Sequence, residues 1–104
     1  MRHNAVLLQA ASSPKGRGFE GTVRVLHRHR FIVAFSDTDM AGIVHFSAFF
    51  RYMEAAEHAF LRSVGLSVVM DLGPERVGWP RVHAEADYLA PLRFEDEVEA
   101  TLLL

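Results

Sequence analysis

The fold of this chain turns on Phe31-Ile-Val-Ala-Phe35, followed at once by Ser36-Asp-Thr-Asp-Met-Ala-Gly-Ile-Val-His45. Five consecutive apolar residues rich in β-branched and aromatic side chains read as the end of a strand buried on both faces. Beyond the polar loop, Phe46, Phe49, Phe50, Met53, Phe60, Leu61 and Val64 recur at helical spacing, while Arg51, His58 and Arg62 fall on another face. The spacing predicts an amphipathic helix over 46–64, ended by Gly65 in the position of a helix-terminating glycine. Its broad apolar stripe suits packing on a sheet better than a coiled-coil seam. Asp37 and Asp39 thus stand at a strand-to-helix junction.

Working outward, 22–35 is a strand with Arg24, His27, Arg28, His29 and Arg30 interspersed, as expected where one side is solvated. Downstream, 67–73 reads as a short turn, and Pro74, Gly78 and Pro80 punctuate the chain. The alternation of Val82, Ala84, Ala86 and Tyr88 or Leu89 with polar residues predicts a half-buried strand over 81–89. Pro91 and 93–97 form a turn, and 98–104 resumes a strand. A strand closing on Leu102-Leu-Leu104 is expected to present a row of unpaired backbone groups, to be completed by another copy, a swapped element or residues beyond 104.

With 104 residues, half of them hydrophobic, the chain is sized for one domain with one modest core. A formal net charge of −2 gives no sign of a nucleic-acid partner. The absence of cysteine excludes disulfide scaffolds, thiolate zinc sites and cysteine nucleophiles. No apolar run approaches the roughly 20 residues needed to span a bilayer. Ala5-Val-Leu-Leu-Gln-Ala-Ala11 is too short an apolar run for a secretion signal and holds Gln9, and Ser12-Ser-Pro-Lys-Gly-Arg-Gly18 reads as a linker. Residues 1–20 are accordingly expected to be a flexible leader to a domain over 21–104, in the cytoplasm.

A helix N-terminus offers unpaired N–H donors and favours negative charge, and Gly42 permits the positive φ such a loop often needs. A carboxylate beside amide donors is the minimum apparatus for attack on an acyl carbon. The plain alternative is that Asp37 and Asp39 only cap the turn and the helix. Glu57 falls on the aromatic stripe between Met53 and Phe60, where a carboxylate needs a partner, across an interface or in a cleft; Glu54 lies at the stripe's edge. His27 and His29 alternate on a strand with no third ligand near in sequence, which argues against a metal site. The basic run 24–30 is either solvated surface or a contact for the phosphates of a ligand.

Phe35-Ser-Asp-Thr-Asp-Met-Ala-Gly-Ile-Val-His-Phe46, then Phe50-Arg-Tyr-Met-Glu-Ala-Ala-Glu57, Arg62-Ser-Val-Gly-Leu66 and Tyr88-Leu-Ala-Pro-Leu-Arg-Phe-Glu-Asp-Glu-Val98, resembles the 4-hydroxybenzoyl-CoA thioesterase group of the hotdog-fold superfamily, including the YbgC-like acyl-CoA thioesterases. The resemblance covers about 27–104. It implies an α+β hotdog fold, a long helix wrapped by a curved antiparallel sheet, incomplete at the C-terminus, and a homodimer or homotetramer with sites at subunit interfaces. It implies hydrolysis of an acyl-CoA to free acid and coenzyme A without metal or cofactor. Asp39 would be nucleophile or general base and the Phe46 amide would polarise the carbonyl. His45 would orient water or substrate, or merely pack at the loop, and Asp37 would fix the loop. Asp37, Gly42, Glu54 and Glu57 complete the expected substrate contacts. Relatives often carry asparagine where this chain has Ala48, leaving Ser47 as the obvious cap substitute. The alternatives are a catalytically silent acyl-CoA-binding or self-assembling hotdog module, or an inactive fragment of a longer thioesterase.

Overall fold

The computed structural model describes residues 5–10, 24–78, 81 and 83–104. Along the chain run β1 (Ala5–Ala10), β2 (Val25–Ile32), a 3-10 turn (Phe35–Asp37), α1 (Ala48–Ser63), β3 (Val69–Leu72), β4 (Glu75–Gly78) and β5 (Glu97–Leu103). β1, β5 and β2 form an antiparallel sheet in that spatial order, and α1 lies against β2 and β5.

The central place of β5 corrects two expectations. The last strand is flanked on both sides, by β2 and by β1, with Ala5 opposite Leu103 and Ala10 opposite Val98. Part of the expected flexible leader therefore supplies ladder hydrogen bonds that the sequence alone assigns to another copy or to later residues. Val6, Leu7 and Leu8 can do so because a short apolar run pairs wherever an edge stands open. The expected linker lies outside the described residues.

Burial alternates along β5: Val98, Ala100 and Leu102 are enclosed beneath α1, while Glu97, Glu99 and Thr101 point the other way. On that outer face Arg30 reaches Glu99 at 3.1 Å and Glu97 at 3.7 Å, and Arg28 reaches Glu99 at 3.4 Å. These half-exposed pairs account for the basic run as sheet surface and are worth about 0–1 kcal/mol each. On the helix side of β2 sit His27, His29 and Phe31, with the His27 ring 6.2 Å from that of Phe60. The expected two-sided burial of 31–35 does not occur, since Val33 is buried but Ile32 and Phe35 are 66% and 72% exposed. Among the described residues no second layer covers the outer face, so only one side of the strand meets a core.

The helix begins two residues later than the apolar spacing predicts, because Phe46 and Ser47 belong to the turn before it. It ends as expected, with Gly65 at φ +77°. Its buried line is Ala48, Tyr52 and Ala56 rather than the phenylalanine stripe, whose members flank it. Two alanines one turn either side of Tyr52 let the helix backbone approach the sheet while the tyrosine ring fills the gap, 4.5 Å from Phe31 and 6.0 Å from Phe49. Val33, Val44, Leu92 and Val98 complete the cluster.

The segment expected as a turn before Pro74 is instead a strand of a hairpin, β3 with β4. Gly73 at φ +68° followed by Pro74 gives the glycine-first two-residue turn that suits strand twist. The strand expected over 81–89 is absent from the described residues there. Alternation shows only that one face suits burial, and the described residues of this run pair with neither sheet edge.

Candidate active site

The loop between β2 and α1 is built on its own main chain. Thr38 and Val44 form an isolated bridge, the Asp39 N–H donates to Ile43 O at 3.0 Å, and the Gly42 N–H closes a turn onto Asp39 O at 3.0 Å. Gly42 sits at φ +79° with nothing within 4 Å of where a Cβ would stand, so the turn demands glycine for its backbone, not for space. The Val44 N–H donates to Leu92 O at 2.7 Å and the His45 N–H to Asp37 O at 2.8 Å, which ties the loop to the core and its end to its beginning.

The two acids of this loop have opposite environments. Asp37 is buried, and its carboxylate accepts the Arg51 guanidinium at 2.6 Å and the Tyr52 hydroxyl at 2.8 Å. Burial pushes its pKa up, but the bonds from Arg51 and Tyr52 and the charge of Arg51 together outweigh that and hold it below the ordinary value of 3.8. Burial, with the bond to Asp37, pushes the Tyr52 hydroxyl well up. Asp37 is thus a fixed anion that clamps the loop to α1. Asp39 is exposed; its Oδ1 accepts the Ala41 N–H at 2.8 Å, and among the described residues nothing bonds its Oδ2.

Asp39 opens onto a cleft of about 510 Å3. One wall comes from the loop and α1, through Ile43, Val44, Phe46 and Phe49, and the other from Tyr88 to Pro91. Among the described residues no hydrogen bond engages the Phe46 N–H, whereas the Phe46 carbonyl accepts the Tyr88 hydroxyl at 3.1 Å. The His45 ring stacks on that of Phe46 with centroids 4.5 Å apart. Its Nδ1 accepts the Ser47 N–H at 3.2 Å and lies 2.8 Å from Ser47 Oγ, which ties the ring to the turn before α1. Ser47 therefore does not cap α1 with its side chain, contrary to expectation; it fixes His45. Position 48 is fully buried, which explains alanine there: a larger polar side chain would face the core.

Asp39 and Phe46 are brought together by the cleft, with His45 adjoining. Asp37, Gly42, Glu54 and Glu57 are not among its lining residues; Glu57 is ion-paired with Arg81. Sequence reasoning missed Arg51, which it placed only on a face away from the apolar stripe, and Tyr52 and Tyr88 as hydrogen-bond donors. A phenol in an otherwise apolar position was the available signal, since a buried hydroxyl needs a partner.

The chain sets an antiparallel sheet against one long helix, with an open carboxylate and an unengaged amide where strand passes to helix. It belongs to the thioesterase-like superfamily of hotdog proteins, whose family model matches residues 33–104. It is 42% identical over 81 residues to the "Putative esterase" of Aquifex aeolicus, covering 76% of this chain and 59% of that protein. It is 36% identical over 86 residues to a 1,4-dihydroxy-2-naphthoyl-CoA hydrolase of Prochlorococcus marinus, covering 75% of this chain and 54% of the relative. The enzyme of the same name from Synechococcus elongatus is 37% identical over 79 residues, covering 69% and 57%. The chain thus spans little more than half the length of these relatives. No solved structure matches it. Among the described residues no helix is long and apolar enough to cross a membrane.

Proposed function

We propose that this chain carries the catalytic loop of a coenzyme A thioester hydrolase, with a flat, aromatic acyl group as its preferred cargo. The observation that carries this reading is the meeting of Asp39, with an unbonded Oδ2, and the unengaged Phe46 N–H on one apolar cleft. The thioester carbonyl oxygen would accept the Phe46 N–H, where the helix start adds its own positive end. Asp39 would take a proton from water as the water adds to the carbonyl carbon, or would add directly to form an anhydride that water then opens. Collapse of the adduct breaks the carbon–sulfur bond; the sulfur leaves as thiolate, takes up the proton, and the acid and coenzyme A separate.

The acyl preference is supported by the cleft lining, where the Phe49 and Tyr88 rings meet edge to face at 5.0 Å. The names of the cyanobacterial relatives accord with it. The same reading includes assembly with further copies, in keeping with exposed Phe35, Phe46 and Leu89.

Asp39→Asn tests the assignment. With benzoyl-CoA and a thiol-release assay, turnover is expected to fall on the order of 100-fold or more, as when a principal acid–base group is removed, with the unfolding midpoint unchanged. Equal turnover by wild type and variant would remove Asp39 from the chemistry. Tight binding of benzoyl-CoA with no thiol release by wild type would instead favour the silent binding module.

A further inference from the structure

Resting on the hydrolase reading, we propose that the Tyr88 side chain is a bar across the cleft that limits the length of the acyl group, which makes Tyr88 a specificity-determining residue. Its main chain stands in one wall of the cleft, with Leu89, Ala90 and Pro91, while its hydroxyl donates at 3.1 Å to the carbonyl of Phe46 in the other wall. Its ring meets that of Phe49, also of the other wall, edge to face at 5.0 Å and 86°. The side chain therefore crosses from wall to wall. Leu89, Ala90 and Pro91 have no side-chain donor for such a bond, so on that wall the crossing falls to Tyr88.

The bar ends on the same residue whose N–H is assigned to the thioester carbonyl, so it stands close to the reacting atoms. A short or flat acyl group fits against the ring and leaves it in place. A long chain has to push the ring aside, which breaks the hydroxyl bond to Phe46 and the contact with Phe49. The stretch 83–89 makes no strand, so these two side-chain interactions, rather than a backbone ladder, resist that movement. One neutral hydrogen bond and one aromatic pair together correspond to about 5- to 150-fold in relative preference. Since Tyr88 is 48% exposed, water competes for its hydroxyl and the lower part of that range applies.

Tyr88→Ala removes the bar. In a thiol-release assay, the ratio of kcat/KM for octanoyl-CoA to that for benzoyl-CoA is expected to rise about 5- to 30-fold, with the unfolding midpoint unchanged. Tyr88→Phe keeps the ring and gives up only the anchor, so its ratio should fall between those of wild type and Tyr88→Ala. An unchanged ratio in Tyr88→Ala overturns the proposal, as does a parallel loss with both substrates, which would make Tyr88 only a support for the cleft wall. If wild type releases no thiol, or Asp39→Asn turns over as fast as wild type, the hydrolase reading fails. The bar is then judged on binding alone, with the uncleavable thioethers S-octyl-coenzyme A and S-benzyl-coenzyme A in titration calorimetry. Tyr88→Ala should shift their affinity ratio toward the octyl compound by the same factor, and a ratio equal to that of wild type overturns it.

Discussion

Asp37→Asn removes one charge from the cluster that clamps the loop before α1 to the helix and leaves its shape nearly intact. In the native protein both carboxylate oxygens are engaged, by Arg51 at 2.6 Å and Tyr52 at 2.8 Å. An asparagine can present its oxygen to Arg51 only by turning its NH2 toward the tyrosine, whose hydroxyl proton then loses its acceptor. A hydrogen bond to a charged group contributes about 1.5–3 kcal/mol and a neutral one about 0.5–1.5. The Arg51 side chain is 63% exposed, so solvent screens its charge and its share is the smaller one. The buried Tyr52 bond carries most of the rest, and the expected loss is about 1–2.5 kcal/mol. For a domain of this size that lowers Tm by roughly 5–15 °C, measured by far-ultraviolet circular dichroism at pH 7.

The same substitution has a signature in acid. Because the folded pKa of Asp37 lies below 3.8, its contribution is complete above that pH and is lost as pH falls through the folded value. Wild type should therefore lose stability below pH 3.8 more steeply than Asp37→Asn, and the two curves should converge at low pH. A variant with the wild-type Tm at pH 7 and the same acid limb would refute the clamp. So would a double-mutant cycle with Tyr52→Phe showing no coupling.

His29 and the helix packing yield two further outcomes. Burial, then His27 and Arg62, lowers the His29 pKa from 6.5, so the unfolded chain binds a proton there more readily than the folded one. Stability is full above pH 6.5 and falls as pH drops toward the folded pKa; His29→Gln should flatten that slope in urea unfolding series, and an unaltered slope would place the titration elsewhere. Ala56→Leu inserts bulk where the helix touches the sheet with no exposed surface, at an expected cost of about 1–3 kcal/mol in urea unfolding. Ala55→Leu on the exposed face should stay within about 0.5 kcal/mol, and equal effects at both positions would contradict the close approach.

Local pattern was enough to read the strand–loop–helix unit, the stop of α1 at Gly65, the final strand and the placing of two acids before a helix. Each rests on interactions within a few residues: a helical period, a glycine backbone, β-branched side chains, amide donors at a helix start. Which acid is buried depends instead on packing at long range. Asp37 and Asp39 are chemically identical and two positions apart, and their fates diverge because Arg51 and Tyr52, one or more helical turns into α1, face the first and not the second. Packing likewise sets residues near the N-terminus beside β5, keeps 83–89 out of both sheets, and brings Tyr88 to Phe46. Those are choices among partners far apart in the chain, settled by which open edge or unpaired donor lies within reach once helix and sheet have packed, and no local pattern specifies them.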